Sequence, residues 1–183
     1  MGQAGGTESL AIGKSVTSNG YASTAIGRYA HTGGIQGKFA FANDYINNAG
    51  DNQRGLYILQ ASTTDATATP LTFSSFAAGT VSQLNLQNNS AYAFHGTIVA
   101  RESAASGTDC AAWKIEGLIR REGSASTTVL VNSATTVLDN TPNWGMTLSA
   151  NTTHGCLRIE VTGAASTNIR WVASIDVSEI VYA

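Results

Sequence analysis

Charge is scarce in this chain: of 183 residues only 12% are Asp, Glu, Lys or Arg, leaving a formal net charge of −2. So dilute a charge offers no basic stripe to nucleic acid and no polybasic face to an anionic membrane. Cysteine is rare as well, with Cys110 and Cys156 alone. That density excludes a disulfide-stapled secreted scaffold, and free, partly buried thiols are expected. Only Pro70 and Pro142 interrupt the backbone. No apolar run approaches the roughly 18 residues that cross a bilayer, and the N-terminus lacks a basic-then-apolar leader pattern, so a soluble chain without membrane insertion is expected. Long amphipathic stripes with capping signals are missing, which argues against helix, and no Gly-rich loop precedes a helix to cradle phosphate.

What is abundant is small and polar. Ser, Thr, Asn and Gly exceed a third of the residues, and Thr, Val, Ile and aromatic residues fall in short runs. This is an all-β composition. The length suits one sizeable domain with a short arm before it.

The arm carries a repeat. Ser9, Leu10, Ala11, Ile12, Gly13, Lys14 returns 14 residues later as Ser23, Thr24, Ala25, Ile26, Gly27, Arg28, and the match continues through Val16 with Ala30, Ser18 with Thr32 and Gly20 with Gly34. One coil of parallel β-structure per copy places each Ile under the next and each Gly at a corner needing positive φ. Two copies alone cannot bury a continuous core, so the repeat predicts an oligomer in which sister subunits cover the isoleucines. Gly33, Gly34 and Gly37 mark a hinge, dividing the chain into an assembly arm, 1–36, and a main domain, 37–183.

In the main domain, hydrophobicity alternates with period two. Tyr92, Phe94, Ile98 and Ala100 oppose His95, Thr97 and Arg101, and Trp113, Ile115, Gly117 and Ile119 oppose Lys114, Glu116, Leu118 and Arg120. Leu157, Ile159 and Val161 oppose Arg158 and Glu160, and Ile169, Trp171, Ala173, Ile175 and Val177 form a fourth apolar set. One wet face per strand belongs to antiparallel sheets packed on a single side. Shorter strands are expected at 54–61, 82–87, 127–131, 135–138 and 144–149. Eight to ten strands at this spacing suit an antiparallel, jelly-roll-like β-sandwich.

Chemistry is thinly signalled. The charges at period two read as cross-strand pairs. Glu116 and Glu160 are the one candidate carboxylate pair for glycoside hydrolysis, although both sit mid-strand among basic neighbours. His31 occupies a repeat position filled by Thr17 in the other copy, which points to a variable surface site; His95 lies on a polar face and His154 precedes a turn glycine. None neighbours a nucleophile motif. His154 and Cys156 share a strand face but lack further ligands, so a turn histidine beside a buried thiol is expected rather than zinc. Trp144, beside Asn140, Thr141, Pro142 and Asn143, reads as a core anchor. Tyr21, Tyr29 and Tyr45 in Gly-rich or Asn-rich segments have the chemistry to stack on sugars.

The Ala-Ile-Gly repeat resembles the head repeats of trimeric autotransporter adhesins, also found in bacteriophage tail fibres. Those form left-handed β-rolls packed as trimers. Residues 37–183 resemble a C-terminal module of phage tail-fibre and other virion proteins. The resemblance lies at 37–42, at 55–59 with Ala61, Thr63, Thr64, Asp65 and Ala66, and at Leu86, Asn88, Asn89, Ser90, Ala91, Tyr92 and Phe94. It continues at Ala112, Trp113, Glu116, Gly117, Ile119 and Arg120, and at Ile159, Val161, Thr162, Gly163, Ala164 and 169–173. It implies a homotrimeric virion fibre, spike or appendage subunit, folded in the reducing host cytoplasm. Its arm would join other virion proteins, and its sandwich would bind a host-surface glycan or protein non-covalently. Neither cofactor nor metal is expected, and the chain is expected not to be an enzyme. A capsid or tail cement protein and a polysaccharide depolymerase are the alternatives. Met1 before glycines fits either a small complete protein or the tail of a longer fibre.

Overall fold

A computed structural model describes residues 1–103 and 107–182, and its regular structure is strand apart from two single 3-10 turns. The repeat builds a roll. Strands β1 (Gln3–Ala4) and β3 (Thr17–Ser18) pair in parallel on one side, and on the other β2 (Leu10–Lys14), β4 (Thr24–Arg28) and β5 (Phe39–Ala42) form a parallel stack. Its register is the sequence repeat itself: Leu10 sits beside Thr24, Ile12 beside Ile26, Gly13 beside Gly27 and Lys14 beside Arg28. Gly13 and Gly27 have φ of 129° and 106°. A Cβ on Gly13 would lie 1.8 Å from the carbonyl oxygen of Gly27, so the coils close up only where the side chain is hydrogen.

The roll's interior is built from small side chains. It is filled by Val16, Ala25, Ala30, Ala40 and Ala42, together with the buried hydroxyls of Ser18, Ser23 and Thr32. Ile12 points outward at 52% exposure, in line with Ile26 and Phe41. Strand alternation forces the choice: with alanine turned inward, the isoleucine next to it must turn out, and coils this close leave room for little more than alanine. The hydroxyls are paired, Ser18 Oγ lying 2.8 Å from Ser23 Oγ and Thr32 Oγ1 donating to Asn19 Oδ1 at 3.1 Å.

The third rung comes from beyond the expected hinge. β5 lies parallel to β4 on one side and antiparallel to β6 (Asn52–Thr63) on the other. The roll therefore runs into the main sheet without a break in backbone hydrogen bonding. That sheet has eight strands in the order β11-β10-β9-β14-β6-β5-β4-β2, with β9 at Ser90–Glu102, β10 at Cys110–Arg121, β11 at Val129–Asp139 and β14 at Ile169–Val181. A smaller sheet pairs β12 (Gly145–Asn151) and β13 (Cys156–Thr162) with the short β7 (Thr69–Pro70) and β8 (Leu84–Asn85). The expected strands at 127–131 and 135–138 are instead one continuous strand, β11. It is exposed along nearly its whole length, and pairing with β10 carries it through Asn132, Ser133 and Ala134, where sequence pattern suggests a break.

Between the sheets lies an apolar core centred on Trp171. Its ring stacks at 5.9 Å on Trp113 and tilts at 5.7 Å against Trp144, while its indole N–H donates to Thr63 Oγ1 at 2.9 Å. Tyr92, Phe94, Ile98, Ile115, Ile119, Leu157, Ile159 and Val161 complete it, all from faces the alternation marks as apolar. Trp144 is indeed a core anchor, 5% exposed.

Candidate functional site

The expected carboxylate pair does not assemble. Glu116 lies on the exposed outer face of β10, whereas Glu160 lies half-buried on the outer side of β13, in the opposite sheet. Glu160 accepts from Arg158 Nη2 at 2.5 Å, an ion pair along one strand rather than across two. Strand parity gives the reason, since each glutamate alternates with core residues and so points away from the sandwich on its own side.

Glu116 has other company. On the outer face of the large sheet, register places Asp176 of β14 beside His95 of β9, and His95 beside Glu116 of β10. With strands about 4.8 Å apart, an imidazole stands between two carboxylates whose strands are roughly 9.6 Å apart. Two residues along the strands, in opposite directions, stand Arg54 of β6, opposite Ser178, and Lys114 of β10, opposite Thr97. The Arg54 Nε donates to both oxygens of Asp176, at 3.0 and 2.8 Å, and Nη2 adds a further contact. This grip holds the Asp176 carboxyl below the ordinary carboxylate range, against a smaller opposing effect of burial. An open hollow of about 350 Å³ is lined by Arg54, Leu56, His95, Thr97, Lys114 and Asp176 among others. An anion fixed by Arg54, an imidazole and a second carboxylate thus share one face of the sheet.

The remaining candidates fall into place separately. His154 is a turn residue whose N–H donates to Asn151 Oδ1 at 3.0 Å, while Cys156 is buried with Sγ 3.2 Å from Gln83 Oε1. Burial pushes the Cys156 thiol up to about 12, and Cys110 is exposed and free. Among the described residues no three His, Cys, Asp or Glu side chains converge as metal ligands. His31 is half-buried rather than on the open surface. Its Nδ1 accepts from Gly33 N–H at 3.0 Å, and burial together with nearby Lys38 lowers its pKa.

A buried polar network escaped the sequence reading. Glu179 accepts from Lys38 Nζ at 2.6 Å, Gln53 Nε2 at 2.8 Å and the Tyr57 hydroxyl at 3.0 Å, and Gln53 is bonded in turn to both backbone groups of His31. Its signal was present: extending the inward set Ile169, Trp171, Ala173, Ile175, Val177 by two places arrives at Glu179. Burial, then the neighbouring Glu179, raises the Tyr57 hydroxyl well above its usual value.

No protein-family model matches the chain, and no curated protein does. Among solved structures it is similar to the tailspike protein of Acinetobacter baumannii bacteriophage Fri1, a capsular polysaccharide depolymerase. That likeness has a TM-score of 0.40 and 16% identity, over 70% of this chain and 18% of the other. It is also similar to the tailspike of Acinetobacter baumannii phage AM24, with a TM-score of 0.33 and 10% identity over 92% of this chain and 33% of that one. The chain thus spans a third or less of the length of either. The expectation that the chain is not an enzyme is corrected here and withdrawn, because the Fri1 protein is itself an enzyme.

Proposed function

We propose that the chain is a subunit of a bacteriophage tail appendage that attaches to the host surface. In this reading residues 1–36 form an arm that joins other virion proteins, residues 37–183 form the displayed domain, and three copies associate. The observation that carries the reading is the roll. Its parallel rungs continue by backbone hydrogen bonding into the sandwich sheet, as a part that transmits load along a fibre requires. Its outward ladder Ile12, Ile26, Phe41 remains uncovered within one chain, with Ile12 at 52% and Phe41 at 46% exposure. Bare apolar side chains in a row are the signature of a surface completed by neighbours.

The test is light scattering on the purified full chain, followed by adsorption to host cells. Trimer mass and saturable adsorption are the expected results. A stable monomer at micromolar concentration overturns the assembly, and a trimer that never adsorbs turns the reading into that of a cement protein.

A second reading, cleavage of surface polysaccharide, is favoured by the outer-face row. In that row Asp176 and Glu116 flank His95 in register on one face of the sheet, and a pair of carboxylates is what glycoside hydrolysis uses. It predicts release of reducing ends from host capsule that disappears in Glu116→Gln and in Asp176→Asn. Release that persists in both variants removes the row from consideration.

A further inference from the structure

Where the second and third coils of the roll turn, four side chains that are not part of the outer-face row come together. The rings of Tyr29 and Tyr45 meet edge to face with centroids 4.4 Å apart. The Arg28 guanidinium lies 5.1 Å from the Tyr29 centroid, and its Nη1 is 2.9 Å from Asp44 Oδ2. Tyr45 stays 42% exposed.

Two features mark this corner as built. Tyr29 is held at a φ of 63°, a left-handed conformation that strains any residue with a Cβ, at the position where the preceding coil has Ser15 at 52°. The loop that presents Tyr45 is pinned from beneath by Asp51, only 3% exposed, whose carboxylate accepts from the backbone N–H groups of Ile46, Asn47 and Asn48 at 3.0, 2.6 and 2.8 Å. The aromatic surface is therefore preorganised, not merely left over.

Charge completes the corner. Lys14 stands in register beside Arg28 one coil away, so two cations occupy adjacent rungs, and Lys14 forms no ion pair among the described residues. Asp44 offsets only one of them. In a chain whose net charge is −2, this ridge is a local positive site beside an open aromatic ring.

We infer that the ridge formed by Lys14, Arg28 and Tyr45 binds an acidic glycan, a uronate-containing polysaccharide of the host surface. The inference rests on the attachment reading and gives it a contact site. The apolar face of a pyranose stacks on Tyr45, its carboxylate is met by Arg28 and Lys14, and the exposed amides of Asn47 and Asn48 serve its hydroxyls. Arg28 has donors to spare, because a guanidinium carries five N–H groups and Asp44 engages only Nη1.

The experiment measures binding of the full chain to polygalacturonate and to neutral dextran by biolayer interferometry at low and high salt, alongside adsorption to host cells. Wild type should bind polygalacturonate, weaken as salt rises, and ignore dextran. Tyr45→Ala should lose about tenfold in affinity, and Lys14→Gln about threefold, with thermal unfolding unchanged. Tyr45→Trp should retain binding. Failure of wild type to bind polygalacturonate, equal binding to dextran, or full binding by Tyr45→Ala each overturns the inference. Host adsorption by Tyr45→Ala at the wild-type level rejects this site while attachment stands. Wild type that does not adsorb at all rejects the attachment reading itself.

Discussion

The Lys38 ammonium and the Glu179 carboxylate lie 2.6 Å apart, 1% and 0% exposed, although 141 residues separate them in the chain. They join the turn that enters the third rung of the roll to the last strand of the sandwich. A buried ion pair is poor evidence of net stabilisation, but breaking one strands a charge in the interior. Lys38→Met should therefore cost about 3 to 5 kcal/mol, measured as the denaturant midpoint at constant slope. Lys38→Met combined with Glu179→Leu should recover part of that loss, since no uncompensated charge remains.

Asp51 supplies a pH prediction. Burial raises its carboxyl, but the backbone N–H bonds from Asn48, Asn47 and Ile46 outweigh it and leave the pKa below the ordinary value. A carboxyl depressed in the folded state contributes its stability above the unfolded pKa of about 3.9 and loses it as pH falls toward the folded value. Thermal unfolding between pH 7 and pH 3 should show wild type losing stability below about pH 4, and Asp51→Asn, already weaker at pH 7, losing less over that interval.

The two cysteines should separate by reactivity. With its thiol pushed up to about 12, Cys156 carries essentially no thiolate at pH 8, and its side chain is buried. Iodoacetamide should label Cys110 alone in the native protein and both cysteines once it is unfolded, as read by intact mass.

Gly13→Ala tests the roll independently of the sandwich. The added methyl meets the Gly27 carbonyl and must adopt a φ of 129°, which L-residues rarely visit. Amide exchange over Leu10–Lys14 should accelerate strongly while protection in β9 and β14 stays unchanged. Equal protection in the variant would mean that the coils do not close as described.

Trp144→Ala should cost about 3 to 5 kcal/mol, because the indole fills the core against Trp171 and its loss leaves a cavity. The intrinsic fluorescence of Trp113 and Trp171 should shift with it.

Much of this protein is written locally. The 14-residue spacing of Ile12 with Ile26 and Gly13 with Gly27 dictated parallel coils and their register, because stacked backbones must repeat where the sequence repeats. Period-two alternation likewise dictated which face of β9, β10, β13 and β14 is buried, since side chains on a strand have only two directions to take. Which strands lie side by side is a long-range matter, and only the tertiary structure decided it. Strand order brought Asp176, His95 and Glu116 into one row, sent Glu160 to the opposite side, and set Lys38 against Glu179 across 141 residues. The spacing between coils turned alanine rather than isoleucine inward. Parity along a strand is a property of neighbours in sequence, whereas a site is made of neighbours in space.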